Sequence, residues 1–315
     1  MNRFSKILPS ILLCCVALSA CKEGEETNIA FNASIEPELT IMKEIRTRKT
    51  ETYFDNGEQV GFLLLDLGGN LYNNSTGYEK YTYQNRRWEC SNPTILNDDE
   101  ARVYAFYPWS TSLDYARNGV QATIETVTQT DYLVGKQVNG SFINSQNPKS
   151  RLNMSHVLAK IQFSITKGGY AGDGKLTSAQ FQCSQGSLLG TGYKVNVTTG
   201  NVTASGAQLD SNPHNIGTWG RDGIILSSTP TGTAGTQFML MPGNGKIKID
   251  LTIDNIDYSV ICNLDGSLSS NGVPRTLVSG SVYTVNLRMS GQSLDIVSDN
   301  MILHNWFDGG SISTH

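Results

Sequence analysis

The sequence predicts an all-β protein: two tandem β-sandwich domains of transthyretin-like or Greek-key type, behind a cleavable leader. Three observations predict it. Apolar residues recur mostly with a period of two, the segments carrying them are bounded by Gly, Asn, Asp and Pro, and helical periodicity is scarce. Alternation of this kind sets one face of a strand against a core and turns the other to water.

In chain order, residues 28–33, 61–65, 102–107, 160–165, 193–197, 237–241, 246–253, 258–262 and 282–289 read as strands. The clearest is 246–253, where Ile247, Ile249, Leu251 and Ile253 share one face and Lys246, Lys248, Asp250 and Thr252 the other. Between such segments, Asn56-Gly57, Gly68-Gly69-Asn70, Thr199-Gly200-Asn201, Gly243-Asn244-Gly245 and Asp265-Gly266 tolerate the positive φ of tight hairpin turns. With residues 1–20 of the 315 set aside, the remaining chain is far longer than the roughly 100 residues one such sandwich uses. The expected division falls near Gly168-Gly169, giving an N-terminal sandwich over 49–167 and a C-terminal one over 168–315.

Residues 1–20 have the layout of a secretory signal peptide: Arg3 and Lys6, an apolar run over 7–18, and small residues before a cysteine. In the run Leu18-Ser19-Ala20-Cys21 the thiol of Cys21 is the expected lipidation site and the first residue of the mature chain. The apolar run is about a dozen residues, short of the ~20 a membrane-spanning helix needs, so the reading is a lipid tether and not a span. Residues 21–48 then form the tether and a first strand. Loss of Arg3 and Lys6 with the leader takes the formal charge from −4 to −6. With no basic patch to bind phosphates, nucleic acid is excluded as a partner.

Cys14 and Cys15 leave with the leader and Cys21 takes the lipid, so Cys90, Cys183 and Cys262 remain. At most one disulfide can form among three. Cys183 and Cys262, both in the second half, are the candidate pair, and three unpaired buried thiols are the alternative. No Cys/His cluster has metal-ligand spacing and no nucleophile elbow is present. His156, His214, Asp98-Asp99, Asp254 and Asp257 read as structural or solvated residues, so no enzyme activity, metal or cofactor is expected. Of two aromatic clusters, Tyr104, Phe106, Tyr107 and Trp109 alternate as core residues do. Tyr72, Tyr78, Tyr81, Tyr83 and Trp88 read equally as core or as a platform for stacking sugars.

Several segments carry a family resemblance. They are Thr47-Arg48 with Phe54-Asp55-Asn56-Gly57-Glu58-Gln59-Val60-Gly61-Phe62, then Val103-Tyr104-Ala105-Phe106-Tyr107-Pro108-Trp109, then Leu152-Asn153-Met154-Ser155-His156-Val157-Leu158-Ala159-Lys160-Ile161. Near the end come Tyr283-Thr284-Val285-Asn286-Leu287 and Ile302-Leu303-His304-Asn305-Trp306-Phe307-Asp308-Gly309-Gly310. In order and spacing these resemble the fimbrillins of the Bacteroidota, the lipoprotein precursors of type V pili and their relatives. Lys22-Glu23-Gly24-Glu25-Glu26 likewise resembles the signal that sends lipoproteins of that group to the outer face of the outer membrane.

The resemblance implies a fimbrial subunit or pilus-associated adhesin on the cell surface. Its partners would be other pilin subunits or copies of itself, the outer membrane through the lipid, and a host or bacterial surface ligand. It also implies assembly by strand exchange. An arginine-specific protease would cut at Arg46 or Arg48 and remove the lipidated first strand, and a donated strand would fill the groove left behind. The donor candidate is 293–306, with Leu294, Ile296, Ile302 and Trp306 as apolar anchors, although the same strand could instead close its own domain. The alternative function is a non-polymerising surface lipoprotein that binds glycan.

Overall fold

The computed structural model describes residues 38–43, 54–72, 78–85, 87–110, 113–116, 119–140, 142–218, 222–228, 231–269, 272–290 and 293–305. The expected strand at 28–33 lies outside them. Regular structure among the described residues is almost entirely β, with one short 3-10 turn at Val138–Gly140.

Among the described residues, ten strands precede Gly168. They are β1 Glu38–Lys43, β2 Gln59–Asp66, β3 Tyr78–Gln84, β4 Arg87–Glu89, β5 Ala101–Tyr107, β6 Asp114–Ala116, β7 Gly119–Ile124, β8 Leu133–Gln137, β9 Lys149–His156 and β10 Ala159–Lys167. Seven of them form one sheet in the order β1-β9-β8-β5-β2-β3-β4. At its centre, β2 is buried on both faces, which is why Phe62-Leu63-Leu64-Leu65 reads as a continuous apolar run and not as an alternation. Val60, Phe62 and Leu64 join one core with Val103, Ala105, Tyr81 and Leu152. Leu63 and Leu65 join another on the opposite face with Phe106 and Val134. On the Leu63 face, Gly61 lies against Tyr78, and a Cβ there would sit 2.1 Å from the Tyr78 ring, which would have to move aside.

The second half supplies β11 Lys175–Gly186, β12 Gly190–Thr191, β13 Tyr193–Asn196, β14 Val202–Thr203, β15 Gln208–Leu209, β16 His214–Thr218 and β17 Ile224–Ile225. It continues with β18 Thr231–Leu240, β19 Gly245–Ile253, β20 Ile256–Leu264, β21 Ser281–Ser290 and β22 Ser293–Asn305. A four-stranded sheet β18-β10-β21-β22 faces a five-stranded sheet, β16-β11-β19-β20 with β17 also paired to β11. Alternate residues of both close one core, in which Phe181 and Phe238 stack face to face at 3.7 Å. The hairpin β19–β20 turns on Asp254 and Asn255, both at positive φ as a two-residue primed turn requires. Asp254 is not merely solvated: its carboxylate accepts the N–H groups of Gly174 and Lys175, both at 2.9 Å, fixing the start of β11.

Pairing crosses the Gly168-Gly169 point in both directions. From the first half, β10 lies between β18 and β21. From the second half, β13 runs antiparallel to β7, Tyr193 opposite Ile124, making a sheet β14-β13-β7-β6. Tyr193, Val195 and Val197 thereby cover Leu63, Phe106 and Val134 of the seven-stranded sheet.

Candidate strand-exchange interface

Among the described residues, β1 has one neighbour. Its six residues pair in parallel with β9, from Glu38 opposite Lys149 to Lys43 opposite Met154, whereas the other ladders of this sheet are antiparallel. A terminal strand can leave without breaking any ladder but its own, and leaving would bare the outer N–H and C=O row of β9. Along β9, Ser150, Leu152 and Met154 are buried while Arg151, Asn153 and Ser155 are exposed, so the row would border on core residues. Arg46, Arg48 and Cys21 lie outside the described residues.

The chain is next described at Phe54, whose ring sits in an aromatic socket. Trp88 meets it edge-on at 5.0 Å and Tyr107 at 5.5 Å, with Tyr83 at 6.3 Å. Glu58 braces the socket by accepting the Asp55 N–H at 2.6 Å and the Tyr107 hydroxyl at 2.7 Å. Phe54 is thus fixed on β3, β4 and β5, and β1 on β9 at the far edge of the same sheet. The connecting residues 44–53 carry both arginines.

The donor candidate is β22, antiparallel to β21 and terminal in its sheet. Leu294 lies opposite Met289, Ile296 opposite Leu287 and Ile302 opposite Thr284, while Trp306 is outside the described residues. The polar run Ser298-Asp299-Asn300 falls where the register breaks, between the pairs Leu287–Ile296 and Val285–Met301.

The candidate disulfide is corrected: Cys183 and Cys262 are free thiols. Cys183 lies opposite Ile247, which on its other side lies opposite Cys262, so an entire strand separates them. Two strand spacings are about 9.5 Å, beyond the ~7 Å that Cα atoms can span in a disulfide. Burial pushes the Cys183 thiol up to about 12, helped by the charge of Asp210. It pushes the Cys262 thiol to about 11 against the opposing charge of Arg275.

The aromatic cluster of Tyr72, Tyr78, Tyr81, Tyr83 and Trp88 is mostly core, not platform. Tyr72, Tyr81 and Tyr83 are buried, and Phe62 meets Tyr81 edge-on at 4.7 Å. His156 is structural, its Nδ1 2.8 Å from Asp131 Oδ1. His214 lies 3.0 Å from Asp210 and against the Phe181 ring. Among the described residues, no three of His, Cys, Asp and Glu converge to hold a metal ion. A cleft of about 450 Å³ lies beside the edges of β16 and β18, lined by Asp131, Lys160, His214 and Gln237 as well as Phe181 and Phe238.

The model of the fimbrillin-like family matches residues 47–306. The chain belongs to this family. No curated protein sequence matches it. Among solved structures, a candidate cell adhesion protein of Bacteroides uniformis superposes with a TM-score of 0.60 at 17% identity, over 87% of this chain and 99% of that one. A second, from Bacteroides ovatus, gives 0.60 at 16% identity over 88% and 99%. A fimbrial protein of Bacteroides vulgatus gives 0.56 at 14% identity over 86% and 99%. These likenesses establish the shared fimbrillin fold. The match begins at Thr47, between the two arginines, so β1 lies outside the matched segment.

Proposed function

We propose that this fimbrillin-like protein is a surface-anchored fimbrial subunit or pilus-associated adhesin that assembles by protease-triggered strand exchange. The observation that carries the reading is the placement of β1: a short parallel strand that, among the described residues, has a single neighbour at a sheet edge and is joined to the rest of the molecule through the segment that holds Arg46 and Arg48. In this scheme Cys21 carries the lipid that holds the precursor in the outer membrane. Cleavage at either arginine releases β1 with the lipid, and Phe54 in its socket keeps the new N-terminus on the sheet. A strand from a neighbouring subunit then satisfies the bared backbone of β9, with alternate side chains setting specificity. The donor is 293–306, anchored by Leu294, Ile296, Ile302 and Trp306, which must first leave β21.

The glycan-binding alternative has less support, because the rings that would stack sugars pack largely against one another. The test is intact-mass and N-terminal analysis of protein taken from the cell surface, beside unheated, non-reducing electrophoresis. A start at Thr47 or Lys49 with a ladder of multimers is expected, and deletion of 293–315 should abolish the ladder. A monomer that retains diacylated Cys21 would overturn a polymerising role.

A further inference from the structure

Among the described residues, the four-stranded sheet of the C-terminal core ends at β18, which has β10 on one side only. Backbone groups on a strand alternate in direction, and Met239 turns its N–H and C=O away from β10. Both are met by one side chain. Gln129 Oε1 accepts the Met239 N–H at 2.6 Å, and Gln129 Nε2 donates to the Met239 C=O at 3.0 Å. This is the reciprocal pattern that a residue of an added strand would make, supplied by a carboxamide from the loop between β7 and β8.

The loop is built to hold that amide in place. Gln129 adopts φ +56, a conformation that Gly or Asn takes readily and Gln rarely, so the position keeps a glutamine in spite of its backbone. Its Nε2 also donates to the Thr126 C=O at 2.6 Å. Thr126 is fully buried and clasped to Gly190 in both directions, N–H to C=O at 2.9 Å and Gly190 N–H to Oγ1 at 2.9 Å. Two residues along, Gln237 lies on the same edge of β18 and lines the cleft that β16 borders from the other side. An extended chain from a second molecule would have both a backbone row and a cleft to enter.

We infer that Gln129 is an edge block: its carboxamide stands in for one residue of a neighbouring strand and closes β18 to pairing with a second copy of this chain. The inference does not depend on cleavage at Arg46 or Arg48, and it concerns a different sheet from the one bearing β1. The test uses uncleaved full-length protein, by residue-resolved hydrogen exchange and light scattering over a concentration series. Gln129→Gly removes the amide while relaxing the backbone, which favours survival of the fold. The expected result is exchange of the Met239 amide faster by about tenfold, the worth of one backbone-type hydrogen bond, together with concentration-dependent dimerisation. Gln129→Asn fits the backbone but is one methylene short, and it should behave like Gln129→Gly. Unchanged Met239 exchange in Gln129→Gly would overturn the hydrogen-bonded block. Faster exchange in a chain that stays monomeric would overturn the blocking role.

Discussion

Two sheet edges meet the same physical problem in opposite ways. On the seven-stranded sheet the outer row of β9 is covered by β1, a whole strand joined to the rest through residues 44–53. On the four-stranded sheet the edge of β18 is covered by the side chain of Gln129, which hangs from a loop clasped to Gly190. A single backbone cut can remove the first cover and no single cut removes the second. An unpaired edge recruits other chains, so under the proposed function and the inferred block the comparison separates an edge that one cut would open from one that a side chain would keep shut.

The largest expected effect breaks the symmetry outright. A chain starting at Lys49, which lacks β1, should form multimers detectable by light scattering at concentrations where the full chain is monomeric. Hydrogen exchange should rise along β9 and not at Met239. Next in size is Phe238→Ala, which removes the ring stacked on Phe181 beneath β18. It should cost about 3–5 kcal/mol in chemical denaturation, and it tests whether the C-terminal edge is firm because its core is. Phe54→Ala should cost less, about 2–4 kcal/mol, because its socket lies at the margin of its sheet. In a chain starting at Lys49 the same change should also loosen the new N-terminus, read as faster exchange at Gly57 and Glu58.

The smallest effect is chemical. In native protein at pH 8, iodoacetamide should modify half-buried Cys90 well before Cys183 or Cys262, and mass mapping reads the order. The two buried thiols also set a sign for alkaline stability. Their folded values, about 12 and about 11, lie above the roughly 8.5 of an unfolded thiol, so the unfolded chain binds fewer protons at high pH. Their contribution is complete below about pH 8.5 and is lost as pH rises toward the folded values. Serine at either position should flatten that decline.

Much of the fold is legible in the sequence, and the exceptions have physical causes. β19 alternates without interruption, so both its extent and its buried face follow from the residues alone. β11 does not: Leu176 is followed by Ala179, Phe181 and Cys183, and the register slips between Leu176 and Ser178, which destroys the period of two. Residues 193–197 read as a strand, but no local signal names β7 as the partner, some seventy residues earlier. The cysteine pairing failed for a related reason, since spacing along the chain does not reveal an intervening strand. For the interface, Arg46, Arg48 and the leader are visible as residue types. The Phe54 socket depends on rings from three strands, and Gln129 is an unremarkable glutamine until the edge it faces is known.

The return of β13 and β14 to the sheet of β6 and β7 bears on how the molecule is made. A chain leaves the ribosome N-terminus first, and domains usually fold in that order as they emerge. Here the layer over Leu63, Phe106 and Val134 holds Val120, Ala122 and Ile124 of β7 but stays incomplete until Tyr193, Val195 and Val197 have been synthesised. The first half must therefore wait with this apolar face only partly covered while the second is translated, and a truncation near Gly168 would strand it in that state.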